Sequence, residues 1–257
     1  MAEPLVIYEV VDNVAILRLN NPTRRHALSS EVLAALKDRL GSIMEDSTIK
    51  VVVLRSEGPV FSSGHDLREL VGSDEESYTH IFAECTEVME AIRLLPQPVI
   101  AQVQGLATAA GCQLVATCDL AVASEDAGFC TPGVQIGLFC STPAVALSRA
   151  VNPKQAMEML LTGIPISAKT AMDWGLVNRV VPEGQLEDSV MQLARHIAKA
   201  SAYTLAIGKQ AFYRQLQVDR PAAYDMAQRT MVENLLAYDA QEGITAFLEK
   251  REPEWAN

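Results

Sequence analysis

Two segments of small residues hold the residue types from which a binding site can be built. The first is Phe61-Ser-Ser-Gly-His-Asp-Leu-Arg-Glu-Leu70. Ser62, Ser63 and Gly64 let the backbone come close to a ligand or to another chain. The segment follows Val51-Val-Val-Leu54, an apolar run that reads as a strand buried on both faces. In open α/β sheets, loops beyond the carboxyl ends of such strands hold ligands. A plain strand-to-helix turn, with Asp66 near a helix start, accounts for the same residues. The second segment is Gln104-Gly-Leu-Ala-Thr-Ala-Ala-Gly-Cys-Gln-Leu114. It follows the strand expected at Val99–Val103 and opens a helix, where free N–H groups favour an anion or a developing oxyanion. Close packing of a helix on a sheet also calls for small residues. The segment is no dinucleotide fingerprint, since positions 107 and 110 are Ala, and no P-loop, since no Gly-Lys-Ser/Thr follows.

Side chains add little chemistry of their own. Histidines 26, 65, 80 and 196 lack metal-ligand spacing, so no metal is expected. Ser62, Ser63 and His65 suggest a serine hydrolase, but Gly-x-Ser-x-Gly is absent. Asp119, at the start of an apolar run, suits a structural hydrogen bond or ion pair. The five cysteines are odd in number and include no Cys-x-x-Cys, which argues against a disulfide framework or zinc site and for a reducing compartment.

The elements that must position these segments come from a chain of 257 residues with a net charge of −11. That length allows one large domain or two small ones. An acidic chain without a long basic run is a poor ligand for nucleic acid or anionic membranes. The uncharged stretch from Leu94 to Cys118 is broken by Pro96 and Pro98 and carries four glutamines, so no membrane span is expected. The first residues lack a basic-then-apolar pattern, which predicts a cytoplasmic location.

Alternation over Leu5–Val11 and Val14–Leu19 around Asp12-Asn13 predicts a hairpin. Val32, Leu33, Leu36, Leu40 and Ile43 predict a helix opening at Ser29-Ser30. Gly58–Gly64 is expected to be loop, Tyr78–Leu94 a helix, Gly105–Gly111 a turn, Cys112–Cys118 helical and Leu120–Ala123 a buried strand. From Pro153 onward the apolar periodicity predicts mostly helix, with helices only after the first two-thirds of the chain. The order describes an α/β core followed by a helical end.

Other stretches join the two segments in a fixed order. Val14-Ala-Ile-Leu-Arg-Leu-Asn-Asn-Pro22 and Ala27-Leu28 precede the first, and Pro98-Val-Ile-Ala101 leads into the second. Gly111-Cys-Gln-Leu114, Cys118-Asp-Leu120, Phe129, Leu161-Thr-Gly163, Ile166-Ser-Ala168 and Gly175-Leu-Val177 follow, and Glu242-Gly-Ile-Thr-Ala-Phe-Leu-Glu-Lys-Arg251 closes the series. In this order they resemble the enoyl-CoA hydratase/isomerase (crotonase) superfamily, a family of fatty acid metabolism, over nearly the whole chain. The resemblance implies an α/β spiral of β-β-α turns, with residues 1–200 as core. It implies that 201–257 is a C-terminal helical region, part of the same functional unit, that builds homotrimers or hexamers. It implies an acyl-CoA thioester as ligand, coenzyme A being part of the substrate, with no separate cofactor. The thioester oxygen is expected between the main-chain N–H groups of His65 and Ala110, an oxyanion hole. CoA contacts are expected at Arg24, Arg25, Ala27, Ser63, His65, Asp66, Leu67 and Lys250.

The pattern departs from the resemblance where proton transfer should occur. Hydratases of this family use two glutamates, and the matching positions here are Gln113 and Gly133. An amide accepts no proton at neutral pH and glycine has no side chain, while each acid–base group is worth about 100–10,000-fold in rate. Cys140 and Ser141, with Gln135 and Thr142, are the neighbours in sequence able to substitute. Two functions stay open: an enoyl-CoA lyase or isomerase, and an acyl-CoA-binding protein without hydratase chemistry.

Overall fold

A computed structural model describes residues 3–256. Its first unit is the hairpin of β1 (Val6–Val11) and β2 (Val14–Leu19). Asp12 and Asn13 both take positive φ, 51° and 63°, the turn geometry that matches strand twist. Helix α1 (Ser30–Glu45) starts at Ser29, whose hydroxyl accepts the Val32 N–H, and buries the five apolar residues expected.

Three similar turns follow. Each has a strand in a six-stranded sheet, a three-residue strand in a second sheet, and a helix. They are β3 (Val51–Arg55), β4 (Val60–Ser62) and α2 (Glu75–Leu94); β5 (Val99–Val103), β6 (Leu106–Thr108) and α3 (Ala110–Thr117); and β7 (Leu120–Ser124), β8 (Gly128–Cys130) and α4 (Ser141–Ala150). The hairpin with α1 is a reduced version, since Leu28 alone bridges in parallel to His65. After α5 (Pro153–Thr162), β9 (Ile166–Ser167) and α6 (Ala168–Trp174), β10 (Arg179–Val181) returns to the first sheet. That sheet runs β1-β2-β3-β5-β7-β10, parallel from β2 onward, and the second runs β4-β6-β8-β9. This is the α/β spiral of β-β-α turns that was expected.

Strand residues alternate between two cores. Val52, Leu54 and Ala101 face the helices α1–α3, whereas Val51, Val53 and Ile100 face α7 (Leu186–Ala198) through Leu186, Val190 and Ala194. Burial on both faces explains the unbroken apolar runs. Helices α8 (Ala202–Gln215), α9 (Arg220–Leu236) and α10 (Tyr238–Glu249) complete the chain. α8 is tied to the core by Lys209, whose ammonium donates to the carbonyls of Ile92 and Gln97 and pairs with Asp119 at 2.7 Å. Asp119 also accepts the Val99 N–H and the Tyr213 hydroxyl, which makes it the structural carboxylate that was expected.

Several expectations need correction. The Gly58–Gly64 loop contains β4, and the Gly105–Gly111 turn contains β6. The stretch after Pro153 is mostly helical as expected, but it also holds β9, and the final third is not helices only, since β10 lies in it. Strands of two or three residues show no periodicity and form only because a neighbouring backbone pairs with them. α2 starts three residues earlier than expected, because the Asp74 carboxylate caps it by accepting the Ser77 N–H at 2.9 Å. All five cysteines are free and buried.

Candidate active site

The two small-residue segments meet. Gly64, at φ 82°, lies so close to the start of α3 that a Cβ on it would sit 2.8 Å from the Ala109 methyl and 3.0 Å from the Ala110 nitrogen. At the next residue of α3, a Cβ on Gly111 would lie 2.5 Å from the Ser62 carbonyl oxygen. These two glycines let the end of β4 press against the start of α3.

Both main-chain donors singled out by sequence stand at this contact. The Gly64 carbonyl accepts the Leu28 N–H at 2.8 Å in the parallel bridge, so the His65 N–H points away from Leu28. The Ala110 N–H belongs to the first turn of α3, where helix geometry supplies no acceptor. Neither N–H finds an acceptor among the described residues. Ala109, just before α3, has φ 51° and ψ −119°, a strained conformation for a residue with a Cβ. Its own N–H is held by the Cys130 carbonyl at 2.9 Å, which fixes the direction of the next peptide.

The His65 ring packs edge-on against Phe82 of α2, with centroids 5.3 Å apart. Burial pushes its imidazole below the ordinary value, and the Leu28 carbonyl offsets this only in part. His26 is buried and structural. Its Nδ1 accepts the Asn21 N–H at 3.1 Å and its Nε2 faces the Glu57 carbonyl at 2.9 Å, while burial holds it neutral.

Of the positions matched to CoA contacts, Arg24, Arg25, Ala27, Ser63 and Asp66 come together. The Ser63 N–H donates to the Arg25 carbonyl at 3.0 Å, and Ala27 to the Arg24 carbonyl at 3.1 Å. Asp66 is buried, and Arg24 reaches it at 3.3 Å. Leu67 is exposed beside them. Lys250, the left-handed residue ending α10, makes no hydrogen bond or ion pair with this corner among the described residues. Sequence reasoning missed Arg68. It donates from Nε and Nη2 to the Asp66 carboxylate, both at 2.9 Å, and holds that carboxyl below its usual range against the opposing effect of burial. The Asp-x-Arg spacing was the available signal. Arg24 and Arg68 therefore flank one buried carboxylate while leaving much of their own surface open to solvent.

The two positions matched to glutamates are both buried. Gln113 lies one turn into α3 and its Oε1 has no partner. A Cβ on Gly133 would fall 2.1 Å from the Leu138 carbonyl oxygen and 2.8 Å from Cys140 Sγ. The 138–140 turn thus fills the space a side chain at 133 needs. Burial pushes the Cys140 thiol up, which keeps it protonated and so unable to take a proton from water. Ser141 is exposed and turned back to the Phe139 carbonyl, and Gln135 donates to Thr162. A cleft of about 490 Å³ between the end of α1 and α8, lined by Met44, Tyr203 and Tyr238 among others, includes none of these residues. No helix among the described residues is long and apolar enough to cross a membrane.

Comparisons with known proteins bear on the fold and the family. Residues 9–257 match the family described as enoyl-CoA hydratase/isomerase. The rat mitochondrial enoyl-CoA hydratase domain-containing protein 3 is 52% identical over 247 residues, covering 96% of this chain and 82% of the relative. The crystal structure of its human counterpart superposes with a TM-score of 0.96 at 49% identity, covering 98% of this chain and 100% of that one. An enoyl-CoA hydratase from Mycobacterium smegmatis gives the same TM-score and identity over 98% of this chain and 99% of that one. The expected cytoplasmic location does not stand, because the rat, mouse and human relatives are all named mitochondrial. With the family match over residues 9–257, 52% identity to a relative over 96% of the chain and the shared spiral fold, the chain belongs to the enoyl-CoA hydratase/isomerase family.

Proposed function

We propose that the chain binds acyl-CoA thioesters and polarises the thioester carbonyl between the His65 and Ala110 N–H groups, without efficient hydration. The carrying observation is the contact of Gly64 with Ala109 and Ala110, which brings two unpaired main-chain donors together. Such donors stabilise an oxyanion without titrating, and removing one typically costs about 100–1000-fold in rate. Arg24 and Arg68 supply exposed guanidinium groups for the phosphates of CoA in an otherwise acidic protein. Hydration needs a base for water and an acid for the α-carbon. Gln113 is neither, and the side chain that position 133 lacks has no room to enter.

The core and the helices after residue 200 act as one unit in this reading, joined by Lys209, and copies assemble through the apolar outer faces of α8–α10 into trimers or hexamers. Calorimetry with acetoacetyl-CoA and acetoacetate, together with the absorbance of crotonyl-CoA over time, tests the function. The thioester binds and the free acid does not, while crotonyl-CoA persists. Equal or absent binding of both compounds contradicts the reading, as does turnover of about 1–1000 per second.

A further inference from the structure

His65 leaves both of its ring nitrogens buried and without a hydrogen-bond partner among the described residues. Among the described residues that are not exposed, no other leaves more than one such atom; Gln97, Gln102, Gln104 and Gln113 each leave only Oε1. His26 shows the ordinary arrangement, with a partner at each nitrogen. The edge-on contact of His65 with Phe82 is aromatic and matches neither nitrogen. The Leu28 carbonyl favours a proton on the ring without completing a hydrogen bond. It therefore selects a neutral tautomer whose second nitrogen keeps a free lone pair. His65 as a whole is only half-buried, and turning its ring about the Cβ–Cγ bond breaks no hydrogen bond. A nitrogen can thus swing to a ligand held at the main-chain N–H of the same residue.

We infer that the His65 imidazole is a catalytic base that takes the α-proton of a saturated acyl-CoA thioester while the residue's own N–H holds the oxygen of the enolate; this rests on the thioester-binding reading above. The α-carbon is bonded to the carbonyl carbon whose oxygen that N–H holds, so one residue reaches both ends of the enolisation. The C–H bond breaks, the proton goes to the ring nitrogen, and the electron pair moves into the carbonyl. A negative oxygen is left between the His65 and Ala110 N–H groups. The imidazolium trades its proton with water and returns one to the same carbon. No co-reactant is needed, and the outcome is exchange of the α-hydrogen with solvent. A neutral imidazole accepts a proton at neutral pH, which the Gln113 amide and the protonated Cys140 thiol do not. Hydration needs a second acid–base group, so a single base gives exchange without addition of water.

Incubation of the full chain with butyryl-CoA in deuterated water, read by mass spectrometry, tests this, with thioester binding measured by calorimetry on the same samples. Deuterium enters the α-carbon about 100-fold or more faster than in buffer alone. His65→Phe keeps the main-chain N–H and removes both ring nitrogens, and it brings exchange down to the buffer rate while the thioester still binds. His65→Gln, which also lacks a base, carries the same test where the phenylalanine variant fails to fold. Exchange at the buffer rate in wild-type protein that binds butyryl-CoA overturns the inference and leaves thioester binding standing. So does exchange that survives the substitutions. Failure of butyryl-CoA and acetoacetyl-CoA alike to bind overturns both.

Discussion

Ala109 and Gly133 hold opposite forms of backbone constraint. Ala109 keeps a Cβ at a φ and ψ that glycine tolerates far better, and its methyl presses on Gly64. Ala109→Gly relieves that strain at some entropic cost, so stability rises by about 1 kcal/mol, read as a higher urea midpoint. Unchanged or lower stability would show that the methyl's packing outweighs the strain. Gly133 has no positive φ, yet even alanine there meets the Leu138 carbonyl, so Gly133→Ala costs about 3 kcal/mol. Restoring a glutamate at 133 therefore disrupts the 138–140 turn, and Gln113→Glu is the informative change. Buried His26 and half-buried His65 set a pH dependence. Burial lowers the pKa of both His26 and His65 in the fold. Below the unfolded value, about 6.5, protons bind the unfolded chain preferentially, so stability present at pH 7.5 falls as pH drops through that value. A urea midpoint that is flat from pH 7.5 to 5.5 contradicts this.

Among the elements, α8 depends on one buried pair. Lys209 gives up solvation to reach Asp119 and two carbonyls, and burial lowers its pKa despite the neighbouring carboxylate. Removing the ammonium leaves Asp119 with only the Val99 N–H and the Tyr213 hydroxyl. Lys209→Met is expected to cost about 3 kcal/mol, with hydrogen exchange rising first in α8 and the helices packed on it. A uniform rise across the sheet core instead would show that α8 does not open separately.

The whole molecule leaves apolar surface that one copy does not cover. No residue of α9 is buried, and Leu236 and Phe247 are 81% and 82% exposed. Ile136, Val145 and Ile164 form a second exposed apolar set on elements around α4 and α5. Patches of this kind mark protein contacts in soluble proteins. Light scattering at micromolar concentration is expected to give three or six times the 27.9 kDa chain mass, and a clean monomer would refute the assembly.

The hairpin, α1, the central strands and the C-terminal helices were legible in the sequence, because each declares itself by an unbroken apolar run or by apolar residues at period 2 or 3.6. The two site segments were legible too, since close backbone approach demands small residues wherever it occurs. The short strands β4, β6, β8 and β9 were not legible. With two or three residues each, they have no pattern of their own and exist because the spiral lays neighbouring backbones side by side. Arg68 stayed hidden because its role depends on Asp66 being buried. The obstruction at Gly133 could not be read either, since it comes from a carbonyl five residues away that folds back. Local chemistry determines which residues are available to a site. Which groups are left unpaired, crowded or within reach of one another depends on distances that only tertiary packing sets.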